Sequence, residues 1–448
     1  PPALAVGVVG AAPLDPNGVW KLEESGPNRM VFSYHQGPWR ARKVLEWPQS
    51  EQAGTPASRG FEVAMTVSLT NTSGQAQQGE LAVHYHRGVD PTKEEKASFF
   101  GGVGNESKAT CFVQEKIRHR TPGQDAPDAE DMTGPVRFFG VDQQYFLGSV
   151  FIPDDMRNGR CELIATPTGR GAVGYFPITA QAGETIVQKF GAYIGPKDMD
   201  YLSQEPTPAL GQALGISVVP GSAQLSKTVD FGIWEVICVV LLWILKFFYG
   251  VFGNWGLAIV FLTVVVKVAL LPLTVKSMVA AENMKKLQPR VEELRKKYPE
   301  DPQKLNQEMM KLYQEAKVNP LGGCFPLLLQ MPVWIALFTT LRASYEIYRE
   351  PFFGPVWTDL TFKDATYILP VLLGVTMILT QRLQPSMMDK AQQRIMTWFM
   401  PIFFTGLMLA YPAGLTLYIF TNNVLSIGQQ YGLRKWMERK GVAAPAKK

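Results

Sequence analysis

Cysteine and histidine are scarce in this 448-residue chain, with four of each. That excludes a disulfide-stapled small scaffold, whose cysteines are dense, and leaves no ligand spacing typical of a zinc site. The patterns HExxH, GxSxG and Walker A do not occur, so three common catalytic and nucleotide-binding signatures are missing. No internal repeat is found. Acidic residues thin out along the chain: residues 1–230 hold 25 Asp+Glu against 20 Lys+Arg, whereas residues 231–448 hold 14 against 24. A mean hydropathy near zero therefore averages a polar half with an oily, basic half. This split excludes a single soluble globule and a disordered chain.

What the second half has is long stretches without charge. A hydrocarbon core of about 30 Å takes about 20 helical residues. Lys317 and Arg342 enclose 24 uncharged residues, and Arg394 and Arg434 enclose 39, with Pro412-Ala413-Gly414 near the middle. The longer run spans nearly 60 Å as one helix, so it folds back at the Pro-Gly turn. The stretches predict spans at 254–273, 321–341, 365–381, 395–411 and 413–433. Lys and Arg number 10 in 276–317, 3 in 382–394 and 6 in 434–448, against 3 in 342–364. Positive charge stays on the cytoplasmic side, which puts those three segments inside and residues 1–224 outside.

The apolar run 231–249 is long enough for a sixth span, but that would invert the parity. Glu235 and Lys246 share a helix face, and Trp234 and Trp243 suit an interface, so 225–253 is read as an amphipathic interfacial helix. The sequence starts at Pro1 with no signal or anchor in view. The expectation is that a membrane helix precedes it. Cys238 and Cys324 fall in membrane segments, and nothing in the spacing pairs Cys111 with Cys161, so both are expected to be unbridged.

Residues 1–224 read as a β-sandwich with its linker. Phe61, Val63, Met65, Val67 and Leu69 alternate with polar or small residues, as do Leu81, Val83 and Tyr85. Gly, Pro and Asp turns separate further apolar runs at 144–152 and 186–194, and Pro and Gly punctuate the linker 205–224. Gly169-Arg170-Gly171-Ala172-Val173-Gly174 spells GxGxxG without the helix that a dinucleotide site needs, which makes it a glycine-rich hairpin. His84 and His86 share a strand face, expected to be exposed.

Residues 276–317 are helix formers broken by Pro299-Glu300-Asp301-Pro302, the pattern of a charged cytoplasmic hairpin. Twelve of the 17 methionines lie after residue 274. Met278, Met284, Met309 and Met310 in the hairpin are candidates for transient contact with varied apolar segments. Within the first span, Lys267 lies about 20 Å from the outer end and about 9 Å from the inner end. It either snorkels to the headgroups or lines a polar cavity. Thr263 and Thr274 share its face, and neighbouring spans offer Gln330 and the set Asn422, Ser426 and Gln429. Polar groups facing lipid would lack partners, so these are expected to line a shared groove.

Asn319-Pro320-Leu321-Gly322-Gly323-Cys324-Phe325-Pro326, Gln330-Met331-Pro332, Asn254-Trp255-Gly256, Pro272-Leu273-Thr274, Tyr367-Ile368-Leu369-Pro370 and Pro412-Ala413-Gly414-Leu415 closely resemble the YidC family of bacterial membrane-protein insertases. The likeness covers about 230–440. It implies a five-helix core at 254–434, a cytoplasmic hairpin, a surface helix before the core and a periplasmic β-sandwich. In Gram-negative bacteria a further N-terminal helix precedes that domain. The family's hydrophilic groove, open to cytosol and lipid, carries a central basic residue. That position is usually arginine and falls at Lys267, with Thr263 one turn away.

The resemblance implies no cofactor, metal or small-molecule substrate and no enzymatic step. Nascent membrane proteins and the bilayer are the implied partners, with a Sec translocon as a further candidate. The ribosome is another, through the hairpin and the basic tail 435–448, which also suits a simple positive-inside anchor. Two other classes remain open: a secondary transporter or channel, and an envelope sugar-binding protein with a membrane anchor.

Overall fold

The computed structural model describes residues 4–49, 59–92, 106–153, 157–299, 301–316, 325–354, 356–383 and 393–439. The chain divides into two compact units, Pro1–Asp230 with Ala343–Tyr345, and Phe231–Arg342 with Glu346–Lys448.

The first unit is β-rich. Its described strands are β1 (Ala5–Gly10), β2 (Lys21–Ser25), β3 (Arg29–Gln36), β4 (Trp39–Glu46), β5 (Glu62–Asn71), β6 (Gln77–Gly88) and β7 (Lys108–Val113). They continue as β8 (Lys116–Arg120), β9 (Thr133–Asp142), β10 (Phe146–Phe151), β11 (Asn158–Thr166), β12 (Gly169–Ala180) and β13 (Thr185–Pro196). Two short helices follow, α1 (Met199–Leu202) and α2 (Pro208–Leu214). The order along the hydrogen-bonded path is β1-β6-β12-β11-β9-β10-β13-β5-β4-β3-β2, with β7 and β8 attached at β9.

A sandwich of two separately paired sheets was the expectation; the observed path is continuous, because β9 serves both. Thr133 to Pro135 pair with β11, and the rest of β9 pairs with β7 and β10. The period of two read from β5 holds: Val63, Met65, Val67 and Leu69 are buried in one core with Leu81, Val83, Tyr85 and Phe176. Burial of such side chains, about 1.5–3 kcal/mol each, holds the strands face to face.

Cys111 on β7 and Cys161 on β11 form a disulfide, a correction to the expected free thiols. Fifty residues separate them in sequence, so only the tertiary approach of two strands that flank β9 reveals the pair. The GxGxxG run is the start of β12, paired with β11 in a hairpin. Its glycines have a packing cause. A Cβ at Gly169 or Gly171 would stand 2.8 or 2.9 Å from the His86 ring, and one at Gly174 would stand 2.4 Å from Phe139. The expected exposed histidine face is corrected too: His84 and His86 are half-buried, and burial pushes His84 down to about 4.

The second unit is helical: α3 (Glu235–Phe252), α4 (Trp255–Ala269), α5 (Leu271–Lys286), α6 (Gln288–Lys297), α7 (Pro302–Glu315), α8 (Phe325–Ala343), α9 (Ile368–Leu383), α10 (Met400–Met408) and α11 (Ala413–Arg439). One π-turn, Ile395–Phe399, leads into α10. Among the described helices, Gly232–Phe252 alone is long and apolar enough to cross a bilayer by itself. Trp255–Ala269 and Leu271–Ala280 suffice together, with a 58° bend between them, while Met331–Ala343, Ile368–Leu383 and Ile395–Met408 are shorter apolar helices. The helix that qualifies alone is the one assigned above to the interface. Its outward side is apolar, with Val236, Trp243, Phe247 and Val251 exposed, and Lys246 is paired to Glu346 at 2.9 Å.

The bend between α4 and α5 falls two residues before Pro272, which cannot supply the N–H that a continuous helix would use there. The hairpin is α6 and α7. Asp301 caps α7 by accepting from Lys304 N, and Val291 and Leu312 are buried.

Candidate functional site

The candidate site forms where α4 meets α11. Asn254 caps α4 with its side-chain oxygen on Leu257 N at 3.0 Å, satisfying one of the donors that a helix start leaves open. Trp255 stacks on Tyr249 at 4.3 Å between centroids. Gly256 is small because a Cβ there would meet the Phe352 ring at 2.0 Å. These contacts fix the N-terminal end of α4 and so the position of Lys267, three turns further along.

The half-buried Lys267 directs its ammonium across to α11, where Nζ donates to Ser426 Oγ at 2.6 Å. The Ser426 hydroxyl donates onward to the Asn422 carbonyl at 2.7 Å. The ammonium is thus turned toward a neighbouring helix. No carboxylate among the described residues pairs with the ammonium, so its charge is solvated by one neutral acceptor.

The other expected residues fall into place unevenly. Thr263 is buried, 1% exposed, and its hydroxyl donates to Ile259 O at 2.7 Å. It packs in its own helix rather than opening to a cavity, a correction to the expected polar face. Thr274 lies beyond the 58° bend, on α5, with its hydroxyl spent on Leu270 O at 2.9 Å. The bend breaks the helical spacing that put it on the face of Lys267. Gln330 lies in α8, and its side chain falls outside the described residues. Gln429 Nε2 on α11 is buried without a partner among the described residues. Asn423 Nδ2 and Gln430 Oε1 are in the same condition and widen the stripe to Asn422-Asn423, Ser426 and Gln429-Gln430. Sequence reasoning missed Asn423 and Gln430, although their seven-residue spacing repeats that of Asn422 and Gln429.

Of the hairpin methionines, Met310 is exposed at 48%, Met278 and Met309 are half-buried, and Met284 is packed away at 7%. Met284 is thus a core residue of the hairpin base rather than a contact residue.

A further part of the site was not foreseen. Residues 352–364 tie together the starts of three helices. The Phe352 carbonyl accepts from Asn254 Nδ2 at 2.8 Å, the Leu360 carbonyl from Gly414 N at 2.8 Å, and the Phe362 carbonyl from Ala413 N at 2.7 Å. Asp364 caps α9, accepting from Leu369 N at 2.8 Å and from Thr366 N at 2.9 Å. Each of the motifs at 254–256, 367–370 and 412–415 therefore marks a helix start whose open N–H groups or cap side chain is held by this loop.

Residues 247–440 match the family described as 60Kd inner membrane protein, and residues 55–244 match the YidC periplasmic domain, which makes this pairing of a β-rich unit with apolar helices an inner-membrane protein with a periplasmic domain. The chain belongs to the YidC family. A protein of Anaeromyxobacter sp. strain Fw109-5 named membrane protein insertase YidC is 39% identical over 398 residues, covering 87% of this chain and 67% of that protein. One of the same name from Anaeromyxobacter dehalogenans strain 2CP-1 is 37% identical over 432 residues, covering 95% and 72%. The chain spans about two thirds of the length of such relatives. A solved structure titled as an active YidC insertase with its first transmembrane domain resolved is 17% identical, covers 96% of this chain and 83% of that one, and has a TM-score of 0.43.

Proposed function

We propose that this protein is a membrane-protein insertase: it receives nascent membrane proteins in a polar groove between α4 and α11 and releases their helices sideways into lipid. The observation that carries the reading is the inward ammonium of Lys267, held on Ser426 with no counter-charge among the described residues. A five-span core at 254–434 surrounds the groove, and the hairpin and basic tail lie in the cytoplasm. The names of the relatives support the same reading.

The mechanism is physical. A client brings an apolar helix preceded by a short polar, often acidic, segment. A bare charge at the bilayer centre costs about 3 kcal/mol on insertion scales and more than 10 in simulations. A groove containing Lys267, Asn422, Ser426 and Gln429 gives that segment water-like partners partway across. The cation attracts the acid, and the loop at 352–364 holds the starts of α4, α9 and α11 together around it. Partitioning of about 20 apolar residues then supplies the driving force without ATP. Met278, Met309 and Met310 offer soft apolar contact to the arriving chain. Gln330 would add an amide from α8.

Reconstitution in protein-free liposomes tests this directly. Short clients with acidic tails should insert faster with the protein present, and Lys267→Arg should preserve the rate. Lys267→Gln should slow acidic tails, and Lys267→Glu should slow them most. Equal rates with and without protein would defeat the reading.

A further inference from the structure

We propose that Ser426 is the positioning residue that keeps the Lys267 charge inside the groove, and so sets the preference for acidic clients. This deepens the insertase reading and rests on it. Lys267 lies about 9 Å from the inner end of its expected span at 254–273, so its flexible stem has the reach to carry the ammonium to the inner headgroups. The contact that opposes this excursion is the 2.6 Å hydrogen bond to Ser426 Oγ on another helix.

That bond has a fixed polarity. A hydroxyl has one hydrogen, and the hydrogen of Ser426 is committed to the Asn422 carbonyl at 2.7 Å. Its lone pairs therefore face Lys267, and it can only accept. The acceptor is also neutral. A carboxylate at 426 would hold the ammonium equally well but cancel its charge, whereas serine holds it and leaves the charge intact. Two of the three ammonium hydrogens have no partner among the described residues, and an arriving carboxylate can take both. Ser426 and Lys267 thus act as one device: the lysine supplies the charge, and the serine decides where the charge stands.

The test compares Ser426→Ala, Ser426→Thr and Ser426→Asp with Lys267→Gln in the full chain, reconstituted in liposomes. Insertion rates are measured for one client carrying either two acidic residues or none in its translocated tail, and the ratio is the acid preference. Ser426→Thr keeps a hydroxyl and should keep the preference. Ser426→Ala and Ser426→Asp should each lower it about tenfold, the weight of a hydrogen bond to a charged group, toward that of Lys267→Gln, because acidic tails slow far more than neutral ones.

A merely structural serine would slow both tails alike. Peptide mapping after treatment with a membrane-impermeant amine reagent gives a second readout that does not depend on insertion: Lys267 should be labelled faster in Ser426→Ala than in wild type. An undiminished acid preference in Ser426→Ala, beside a lost one in Lys267→Gln, would overturn the proposal. A wild-type protein that inserts neither tail overturns the insertase reading and this inference with it, a result visible before any variant is compared.

Discussion

Asn254 and Phe352 are joined through a single amide that does two jobs: Nδ2 donates to the Phe352 carbonyl at 2.8 Å, and Oδ1 accepts from Leu257 N at 3.0 Å. The start of α4 and the loop at 352–364 are therefore one rigid corner. Asn254→Ala should cost about 2 kcal/mol, the sum of a helix cap and a neutral hydrogen bond. Asn254→Asp keeps the cap but loses the donor, and it should lie between the two in thermal unfolding in detergent. Identical melting of all three would show that the corner bears no weight.

The Cys111–Cys161 disulfide closes a separation of 50 residues. In the chain-entropy account, a loop of that size restricts the unfolded state by about 4 kcal/mol. The double variant Cys111→Ala/Cys161→Ala should unfold at correspondingly lower denaturant, with the wild-type protein falling to the same midpoint when reduced. An unchanged midpoint would count against a bridge.

Glu205 and Glu62 are both fully buried. Glu62 accepts from Thr207 N at 2.9 Å, while no donor from the described residues reaches Glu205, whose neighbour is Glu62 itself. Burial, and then the adjacent carboxylate, push Glu205 well above the ordinary carboxyl range, so it stays protonated. A raised carboxyl contributes stability below its unfolded value, about 4.5, and loses it as pH climbs through the folded value. Glu205→Gln keeps a donor toward Glu62 and has nothing to ionise. Its stability advantage over wild type should grow from pH 5 upward in paired denaturant titrations, and a constant difference would refute the protonated state.

Lys43 presents the opposite case. Its ammonium is buried, donates to Leu4 O at 3.1 Å, and lies 4.9 Å from the Trp20 ring centre, with no carboxylate among the described residues paired to it. Burial lowers it to about 8 from 10.5. The unfolded chain then binds more protons between those values, so wild-type stability should rise by about 3 kcal/mol from pH 8 to 10.5. Lys43→Met removes that rise. The difference between the two stability curves isolates it from every other titrating group, and a flat difference across that window would place the amine in water.

Periodicity made the local parts of this protein readable before any coordinates. The alternation in β5, the Pro299 to Pro302 break between α6 and α7 and the turn at Pro412 to Gly414 are all nearest-neighbour patterns. A lysine in an apolar helix is equally local, and Lys267 was found for that reason. Its acceptor was expected only as one of several polar residues, since 159 positions separate it from Ser426. Cys111 and Cys161 were lost to the same cause. The tie made by residues 352–364 uses backbone carbonyls, which carry no side-chain signature, so the motifs at 254, 367 and 412 showed in the sequence without their reason. Thr274 failed because a single bend at Leu270 resets the angular count that α4 began.

One helix carries both the tie and the latch. On α11, Gly414 is fastened to Leu360 and Ser426 holds Lys267, about 18 Å further along the same rigid rod. Turning that rod to release the lysine would shear the carbonyl anchors at its head.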